Sequence, residues 1–206
     1  MKHVFFKPWI GKDYETGGMF HKKILVVGES HYCGGCLDCG DIINADECAT
    51  FTTDHCIKPL LDGTVNGWTP TFRKFERSLV NHNTNLEESK HIWNSLAFYN
   101  YLQKSMEDVR QAGNYEDYVN AEPAFFEVLE KLRPDIIIVW GVTRMYDNMP
   151  GGDRFESADD IIIDDYHVRN GWYRLGDGKK IRSIWIYHPS VGYSWEWWHK
   201  VIKEVI

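Results

Sequence analysis

Three short apolar runs, each followed at once by a polar loop, constrain the fold of this chain more than any other feature. They are "ILVVG" at 24–28, "DIIIVWG" at 135–141 and "IRSIWIYHPS" at 181–190. Continuous apolar, β-branched runs of this length are typical of strands that are buried on both faces of a parallel sheet. Helix-forming segments separate the runs, and strands that alternate with helices predict a parallel sheet covered on both sides. We therefore expect one α/β domain over residues 1–206.

The segments between these runs carry helix and turn signals. Segment 69–80 opens with Thr-Pro, which predicts a helix with Thr69 as its N-cap and proline at the first helical position. Segment 121–134 is expected to start at a charged, proline-containing turn and to end before its last proline. In segment 86–103 we expect a helix that passes into a strand near "LAFYNYL". Segment 159–187 contains Asn-Gly and Gly-Asp-Gly, which we interpret as turns between short extended pieces before the last strand.

Charge and hydropathy narrow the functional classes. The formal net charge of -7 opposes approach to phosphate backbones and so argues against a nucleic-acid partner unless a local basic patch outweighs it. No stretch approaches the roughly 20 apolar residues that a membrane span needs, and the N-terminal segment has no secretory signal pattern. From this we expect a cytoplasmic protein that does not bind a membrane.

Polar side chains are concentrated in the loops that follow the apolar runs. Ligands of open α/β sheets bind at the carboxyl ends of the strands, which selects loops 28–32, 141–144 and 187–193. The first loop carries Glu29, Ser30, His31 and Tyr32, and the third carries His188 held before a proline. These side chains are candidates for catalysis. The structural alternatives are that Glu29 and Ser30 satisfy backbone groups of a following helix and that His188 caps a strand-end carbonyl.

The cysteines form a second cluster. All five lie between positions 33 and 56, and the first three have the spacing C-x-x-C-x-x-C. Thiolates at this spacing are typical ligands of zinc or of an iron–sulfur cluster, with zinc the favoured ion here. Free thiols that pack as small apolar side chains are the alternative. The candidate metal ligands are Cys33, Cys36, Cys39, Cys48 and Cys56, with His55 available nearby.

"ILVVGESHY" followed much later by "IWIYHPS" resembles the uracil-DNA glycosylase superfamily. Its members carry a loop of the Gly-Gln-Asp-Pro-Tyr-His or Gly-Glu-x-Pro-Gly type after an early strand and a His-Pro-Ser loop near the end. The matching positions are Gly28, Glu29, Tyr32, His188, Pro189 and Ser190, and "LAFYNYL" places Asn100 where the family has an Asn that reads the uracil edge. The resemblance implies a three-layer α/β/α sandwich with a central, mainly parallel four-stranded sheet.

The resemblance also implies excision of a flipped-out base from single- or double-stranded DNA, or binding of such a base or of a nucleobase-like small molecule. His188 would stabilise the departing base, Tyr32 would crowd out a thymine methyl, and an acidic residue or a held water would serve the sugar. The chain departs from the family pattern because Ser30 stands where the family has a water-activating Asp. Glu29 or His31 would then have to take over that role, or the reaction would rely on His188 and substrate strain alone. Tyr193 or Trp195 would replace the family's wedge residue.

Two other functions fit the same motifs. "VVGES" and "HPSVGY" are also similar to segments of SGNH-type small-molecule esterases, in which Ser30 would be the nucleophile and His188 the base. That family has an Asp three residues before the His, where this chain has Trp185, so Asp164 or Asp165 would have to substitute. The second alternative is a non-catalytic, metal-stabilised binding module of the same fold. We interpret the spacing Asp164-x-x-His167 as a surface turn.

Overall fold

The computed structural model describes residues 1–32, 46–108, 111–190 and 192–206, with the backbone alone at 46 and 47. In chain order the strands are β1 Trp9–Ile10, β2 Ile24–Gly28, β3 Leu96–Asn100, β4 Ile136–Trp140, β5 Phe155–Ser157, β6 Ile161–Ile163, β7 Tyr166–Val168, β8 Asn170–Arg174 and β9 Lys180–Ile186. The α-helices are α1 Lys58–Leu61, α2 Thr69–Val80, α3 Leu86–Asn94, α4 Tyr115–Leu132, α5 Arg144–Asn148 and α6 Trp195–Lys203. A π-helical segment, Thr52–Ile57, leads into α1.

The described strands form one mixed sheet and one separate hairpin. The sheet has seven strands in the order β1-β3-β2-β4-β9-β8-β5, and β6 pairs with β7 alone. Its centre, β3-β2-β4-β9, is parallel, whereas β1, β8 and β5 are attached antiparallel. The expected strand number of four is therefore wrong for the whole sheet, although the chain is α/β and the parallel part does contain four strands.

The central strands are mostly apolar because helices pack against both faces of the sheet. All five residues of β2 are buried. Since alternate side chains of a strand point to opposite faces, Leu25 and Val27 join a cluster that contains α4, while Ile24 and Val26 join one that contains α2, α3 and α6. The unbroken apolar runs in the sequence are the direct consequence of this double burial.

Helix α4 is longer than its sequence signals suggested. We expected a start near the proline at 123, but α4 begins at Tyr115, so that Pro123 lies inside the helix. A capping box sets the start, with the Asn114 side chain accepting from the Asp117 N–H and the Asp117 carboxylate accepting from the Asn114 N–H. Two orphan N–H groups are satisfied in this way, which fixes the first turn well upstream of the proline. No helix in the described ranges is both long and apolar enough to cross a membrane.

The Asn-Gly pair at 170–171 is part of a strand and does not form the turn that we expected. It begins β8, and a Cβ at Gly171 would lie 2.5 Å from the Phe155 ring of the neighbouring strand. The glycine therefore allows close packing of two strands. The hairpin turn lies upstream, at Asp164 and Asp165, both with positive φ (48° and 62°). Two consecutive positive φ values are the pattern of a tight hairpin turn, which Asp tolerates better than most residues.

Candidate functional site

The loops after β2, β4 and β9 meet at the carboxyl edge of the sheet. These three strands are parallel neighbours, and beyond β4 the Gly141 N–H still donates to the Ile186 carbonyl at 2.8 Å. Adjacent strands lie about 4.8 Å apart, so the ends of β2 and β9 are separated by about 10 Å. One small ligand can span that separation, and the edge is the natural binding position in this class of sheet.

Glu29 is held at this edge by two side chains from other elements. Its carboxylate accepts a hydrogen bond from the Tyr118 hydroxyl of α4, and the Arg144 Nε lies 3.4 Å from Glu29 Oε1. Burial, followed by the hydrogen bond to Glu29, raises the pKa of Tyr118, so the phenol stays protonated and donates. The Glu29 side chain is 14% exposed, which leaves it a limited opening to solvent. The carboxylate is thus oriented before any ligand arrives.

His188 follows β9 with a defined tautomer. The Ser190 N–H donates to His188 Nδ1 at 3.3 Å, and the Ser190 hydroxyl lies 2.8 Å from the same nitrogen. Because a backbone N–H can only donate, Nδ1 is the acceptor and the proton of the neutral ring is on Nε2. The ring packs edge-to-face on Trp140, with centroids 5.7 Å apart. The His-Pro-Ser order of the sequence therefore presents an N–H donor on Nε2.

The positive charge of Arg144 acts on both candidate catalytic side chains, Glu29 and His188. It begins α5 directly after β4, between the strands that carry Glu29 and His188. His188 keeps exposed surface, yet loss of water around the ring and, secondarily, the positive charge of Arg144 lower its pKa below the usual value. The imidazole is therefore neutral at pH 7. Loop 141–144 was selected by the strand-end rule without any role for its arginine, and no sequence signal indicated Tyr118.

Gly28 and Asn100, both predicted to contact substrate, contact each other. A Cβ at Gly28 would lie 2.2 Å from Asn100 Oδ1, so only glycine admits that side chain. The Asn100 amide nitrogen donates to the Ser30 carbonyl at 3.2 Å and to His31 Nδ1 at 3.0 Å. The Ser30 Oγ is buried and has no hydrogen-bond partner among the described residues. The two hydrogen bonds of the Asn100 amide thus fix the conformation of the first loop at residues 30 and 31.

The backbone of the first loop stays paired with the chain that follows β3. The N–H groups of Tyr101, Leu102 and Met106 donate to the carbonyls of residues 28, 29 and 31 at 2.9, 2.9 and 2.8 Å. Pairing of this kind continues the parallel ladder beyond the last residues of the two strands. The loop that carries Glu29 is consequently fixed at both its backbone and its carboxylate.

His31 is part of the protein interior. Only 2% of it is exposed, and its ring packs against Phe6 and Phe51 with centroids 4.7 and 4.9 Å away. With Nδ1 accepting from Asn100, Nε2 carries the proton and donates to Thr52 Oγ1 at 3.0 Å. Burial lowers its pKa to about 3, with a smaller contribution from His55. The imidazole is neutral, and both ring nitrogens are engaged by protein groups.

The other predicted binding residues lie in different environments. Tyr32 is 40% exposed and bridges Met106, on the β3 side of β2 and away from His188. Pro189 is buried and Ser190 is exposed. Tyr193 is 8% exposed, and its hydroxyl donates to Ser78 Oγ at 2.7 Å. In this conformation Tyr193 is a core residue and is not presented as a wedge.

The cysteine cluster is only partly within the described residues. Cys33, Cys36 and Cys39 lie outside them. Cys48 and Cys56 are free and partly buried, and burial raises the pKa of the Cys56 thiol to about 12. In the described part of the chain, no group of three His, Cys, Asp or Glu side chains is placed to hold a metal ion.

Two surface cavities of the described residues lie outside the candidate site. The described residues form a surface cavity of about 820 Å³ beside α4 and another of about 280 Å³ beside α6, and neither is lined by Glu29, Arg144 or His188. No protein-family model matches the sequence, and no curated protein matches it either. The functional argument therefore depends on the geometry of the edge and on the resemblance of its motifs.

Proposed function

We propose that this chain is a divergent uracil-DNA glycosylase-like protein that binds, and excises, a flipped-out base at the carboxyl edge of the sheet. The observation that carries the proposal is the Nε2–H of a neutral His188 across the edge from the fixed Glu29 carboxylate. The two loops that resemble the family motifs supply these groups. Helices against both faces of a sheet with four parallel central strands agree with the three-layer sandwich that the family implies.

The proposed reaction is hydrolysis of the bond between base and deoxyribose. Water adds its hydroxyl to C1′ of the sugar, and the base leaves with the electron pair of the broken C–N bond and receives a proton. His188 donates a hydrogen bond to the oxygen of the departing base, where negative charge develops. Glu29 stabilises the positive charge that develops on the sugar. Ser30 is unsuited to that role because its oxygen is buried and a hydroxyl is not anionic at neutral pH.

Release of free uracil from a uracil-containing oligonucleotide, single- and double-stranded, tests the proposal. His188→Ala is expected to reduce the rate about 100-fold or more, as removal of one donor to a developing anion does. Because the folded pKa of His188 lies below its usual value of about 6.5, the donor is neutral at pH 7. Protonation of Nδ1 would turn this acceptor into a donor facing the Ser190 N–H and would disturb the orientation of the ring, so the rate is expected to fall as the pH drops through that lowered pKa.

The matched control is His3→Ala. His3 is also partly exposed, 49% of its side chain, but it pairs with Glu127 on α4. Its removal is expected to leave uracil release unchanged. Absence of release by the unaltered chain, together with equal DNA binding by the unaltered chain and His188→Ala, would contradict the proposal. Binding that depends on His188 without release would identify the non-catalytic module.

The esterase alternative has weaker geometric support. In the described residues no hydrogen bond joins Ser30 to His188, and the Asp164 carboxylate is occupied by Trp197 Nε1 at 3.0 Å and Lys200 Nζ at 2.9 Å. A serine nucleophile needs a base within hydrogen-bond reach. Hydrolysis of p-nitrophenyl acetate that disappears in Ser30→Ala would favour the esterase over the glycosylase.

Structural zinc remains a proposal for the cysteine cluster, with an iron–sulfur cluster as the less favoured group. Cys56 Sγ lies 4.0 Å from His31 Nδ1, but that nitrogen already accepts from Asn100, so His31 is not free to be a ligand as it stands. The ligands would come from the cysteines alone or with His55. Elemental analysis of the purified chain for zinc and iron tests the proposal.

A further inference from the structure

An aromatic cavity lies beside the His188 loop and takes no part in the reaction proposed above. We call it the aromatic slot. It has a volume of about 280 Å³ and is lined by Tyr166, Tyr187, Gly192, Ser194, Trp197 and Trp198. Tyr187 immediately precedes His188, and Gly192 and Ser194 follow the His-Pro-Ser motif. The loop that presents the Nε2–H donor thus also forms one wall of the slot.

Four rings of the slot contact one another in a closed circuit. The centroid separations are 5.3 Å for Trp197–Tyr166, 5.9 Å for Tyr166–Tyr187, 5.3 Å for Tyr187–Trp198 and 4.9 Å for Trp198–Trp197. Three of these pairs are close to perpendicular, at 88° or 89°. Each ring is held edge-on by its neighbours, which leaves rigid aromatic walls with little conformational entropy to lose when a ligand binds.

The slot also retains open space at its glycine. Gly192 has a φ of +61°, and a Cβ at this position would meet no heavy atom within 4 Å. Tyr187 is 37% exposed, so part of its ring is accessible from solvent. A flat ring can therefore approach the exposed part of Tyr187 on the side of Gly192.

The carboxylate that is hydrogen-bonded to a ring of the slot is paired with a lysine, which favours an uncharged ligand. Asp164, whose carboxylate receives the Trp197 Nε1–H, is paired with Lys200 at 2.9 Å. Burial, followed by a hydrogen bond with Tyr187, raises the pKa of Tyr166 to about 12, so this phenol is neutral. A bare cation would gain from the ring faces but would also meet the positive charge of Lys200. Rigid aromatic walls, with the Asp164 carboxylate neutralised by Lys200, suit a neutral planar ring.

We propose that the aromatic slot binds an unstacked nucleobase. That this nucleobase belongs to DNA and lies next to the excised base rests on the proposed function. Aromatic side chains stack on bases with little regard to sequence because every base has a π-face. A base held in the slot would place its neighbour along the strand near His188, and single-stranded DNA would be the favoured substrate.

Binding of adenosine and thymidine, followed by isothermal titration calorimetry, tests the slot without any catalytic step. Saturable binding is expected, and Tyr187→Ala is expected to weaken it by about 5- to 100-fold, the contribution of one base–aromatic stack. Tyr187→Phe keeps the ring and is expected to bind as the unaltered chain does. Gly192→Asn places a side chain in the open space and is expected to weaken binding, since Asn tolerates positive φ.

The matched control is Gly178→Asn. Gly178 also has a positive φ, 87°, and a Cβ added there would likewise meet no heavy atom within 4 Å, but it lies in the turn between β8 and β9. Equal loss of binding in both glycine variants would overturn the slot, as would absence of saturation by any nucleoside or tighter binding of tetramethylammonium. Uracil release without nucleoside binding would overturn the proposed role of the slot and leave the proposed glycosylase activity standing. Nucleoside binding without uracil release supports the slot and counts against excision.

Discussion

Glu76 is a charged residue with no exposed surface, and its carboxylate is completely surrounded by donors. Oε1 accepts from Ser89 Oγ at 2.7 Å and from Trp93 Nε1 at 2.9 Å, and Oε2 accepts from Thr84 Oγ1 at 2.6 Å. Arg73 Nη1 completes the set, 3.0 Å from Oε2. The network joins α2 to α3 beneath the sheet. Because every partner donates, the site requires an anionic acceptor.

Glu76→Gln is expected to destabilise the protein by about 3–5 kcal/mol, the usual cost of breaking a buried ion pair. The amide would direct an N–H at a donor and would leave Arg73, whose side chain is 20% exposed, without its counter-charge. Urea denaturation measures the free energy of unfolding. Glu87→Gln on α3 is the control because that carboxylate is 75% exposed, and it is expected to change stability little. A similar effect in both variants would show that the network is not stabilising.

At the scale of secondary structure, the contact between the ends of β2 and β3 depends on the absence of a Cβ atom at residue 28. Gly28→Ala would place a Cβ 2.2 Å from Asn100 Oδ1 and force the amide away from Ser30 and His31. We expect a loss of about 1–3 kcal/mol in the free energy of unfolding, as is usual for overpacking. Gly67→Ala is the control because a Cβ there meets nothing within 4 Å.

The same clash can be isolated by a double-mutant cycle. If Asn100 is first changed to Ala, the atom that collides is gone, and Gly28→Ala is expected to cost clearly less than it does in the unaltered chain. If Gly28→Ala destabilises the Asn100→Ala variant as much as the unaltered chain, the glycine is required by the backbone conformation and not by contact with Asn100.

How far the sequence predicts these elements depends on how local their causes are. The parallel strands β2, β3, β4 and β9 were predictable because double burial makes most of their residues apolar. Strand β1 has only two residues and exists through pairing with β3, which no local pattern reveals. Asn170-Gly171 was misinterpreted because the signal for a turn and the signal for close packing are the same residue.

The features of the candidate site also differ in whether their causes are local in the sequence. The loops were predictable from strand ends and motif resemblance. The partners of Glu29 were not, because Tyr118 belongs to a helix 89 residues away and reaches the loop only in the folded chain. The burial of His31 and Tyr193 likewise follows from tertiary packing, since a polar loop in the sequence gives no indication of which of its side chains turn inward.

At the scale of the whole molecule, the net charge of -7 limits how DNA could be held. Among the described residues, two cations that act directly on the His188 loop are Arg144, which lowers the pKa of His188, and Lys74, whose Nζ donates to the Ser190 carbonyl at 3.3 Å. Two phosphate contacts would give a slope of about -2 in a plot of log affinity against log salt for duplex DNA. Arg144→Ala is expected to reduce the magnitude of that slope by about 1.

Fluorescence anisotropy with a labelled oligonucleotide over a salt series measures this slope. Lys131→Ala is the control, because Lys131 is in the last turn of α4 and therefore near the start of β4, at the opposite edge of the sheet. A slope steeper than about -5 would require many more phosphate contacts and would exclude binding at this edge through so few cations.

The backbone pairing that continues past β2 and β3 affects how tightly an edge with so few cations can bind DNA. A carboxylate on a free loop would have to be immobilised at each encounter, and that loss of freedom would be subtracted from the affinity. Here the chain around Glu29 is already immobile once the protein has folded. Binding therefore requires no ordering of the loop after β2. Variants that break the backbone pairing between residues 101–106 and this loop should bind DNA more slowly as well as more weakly.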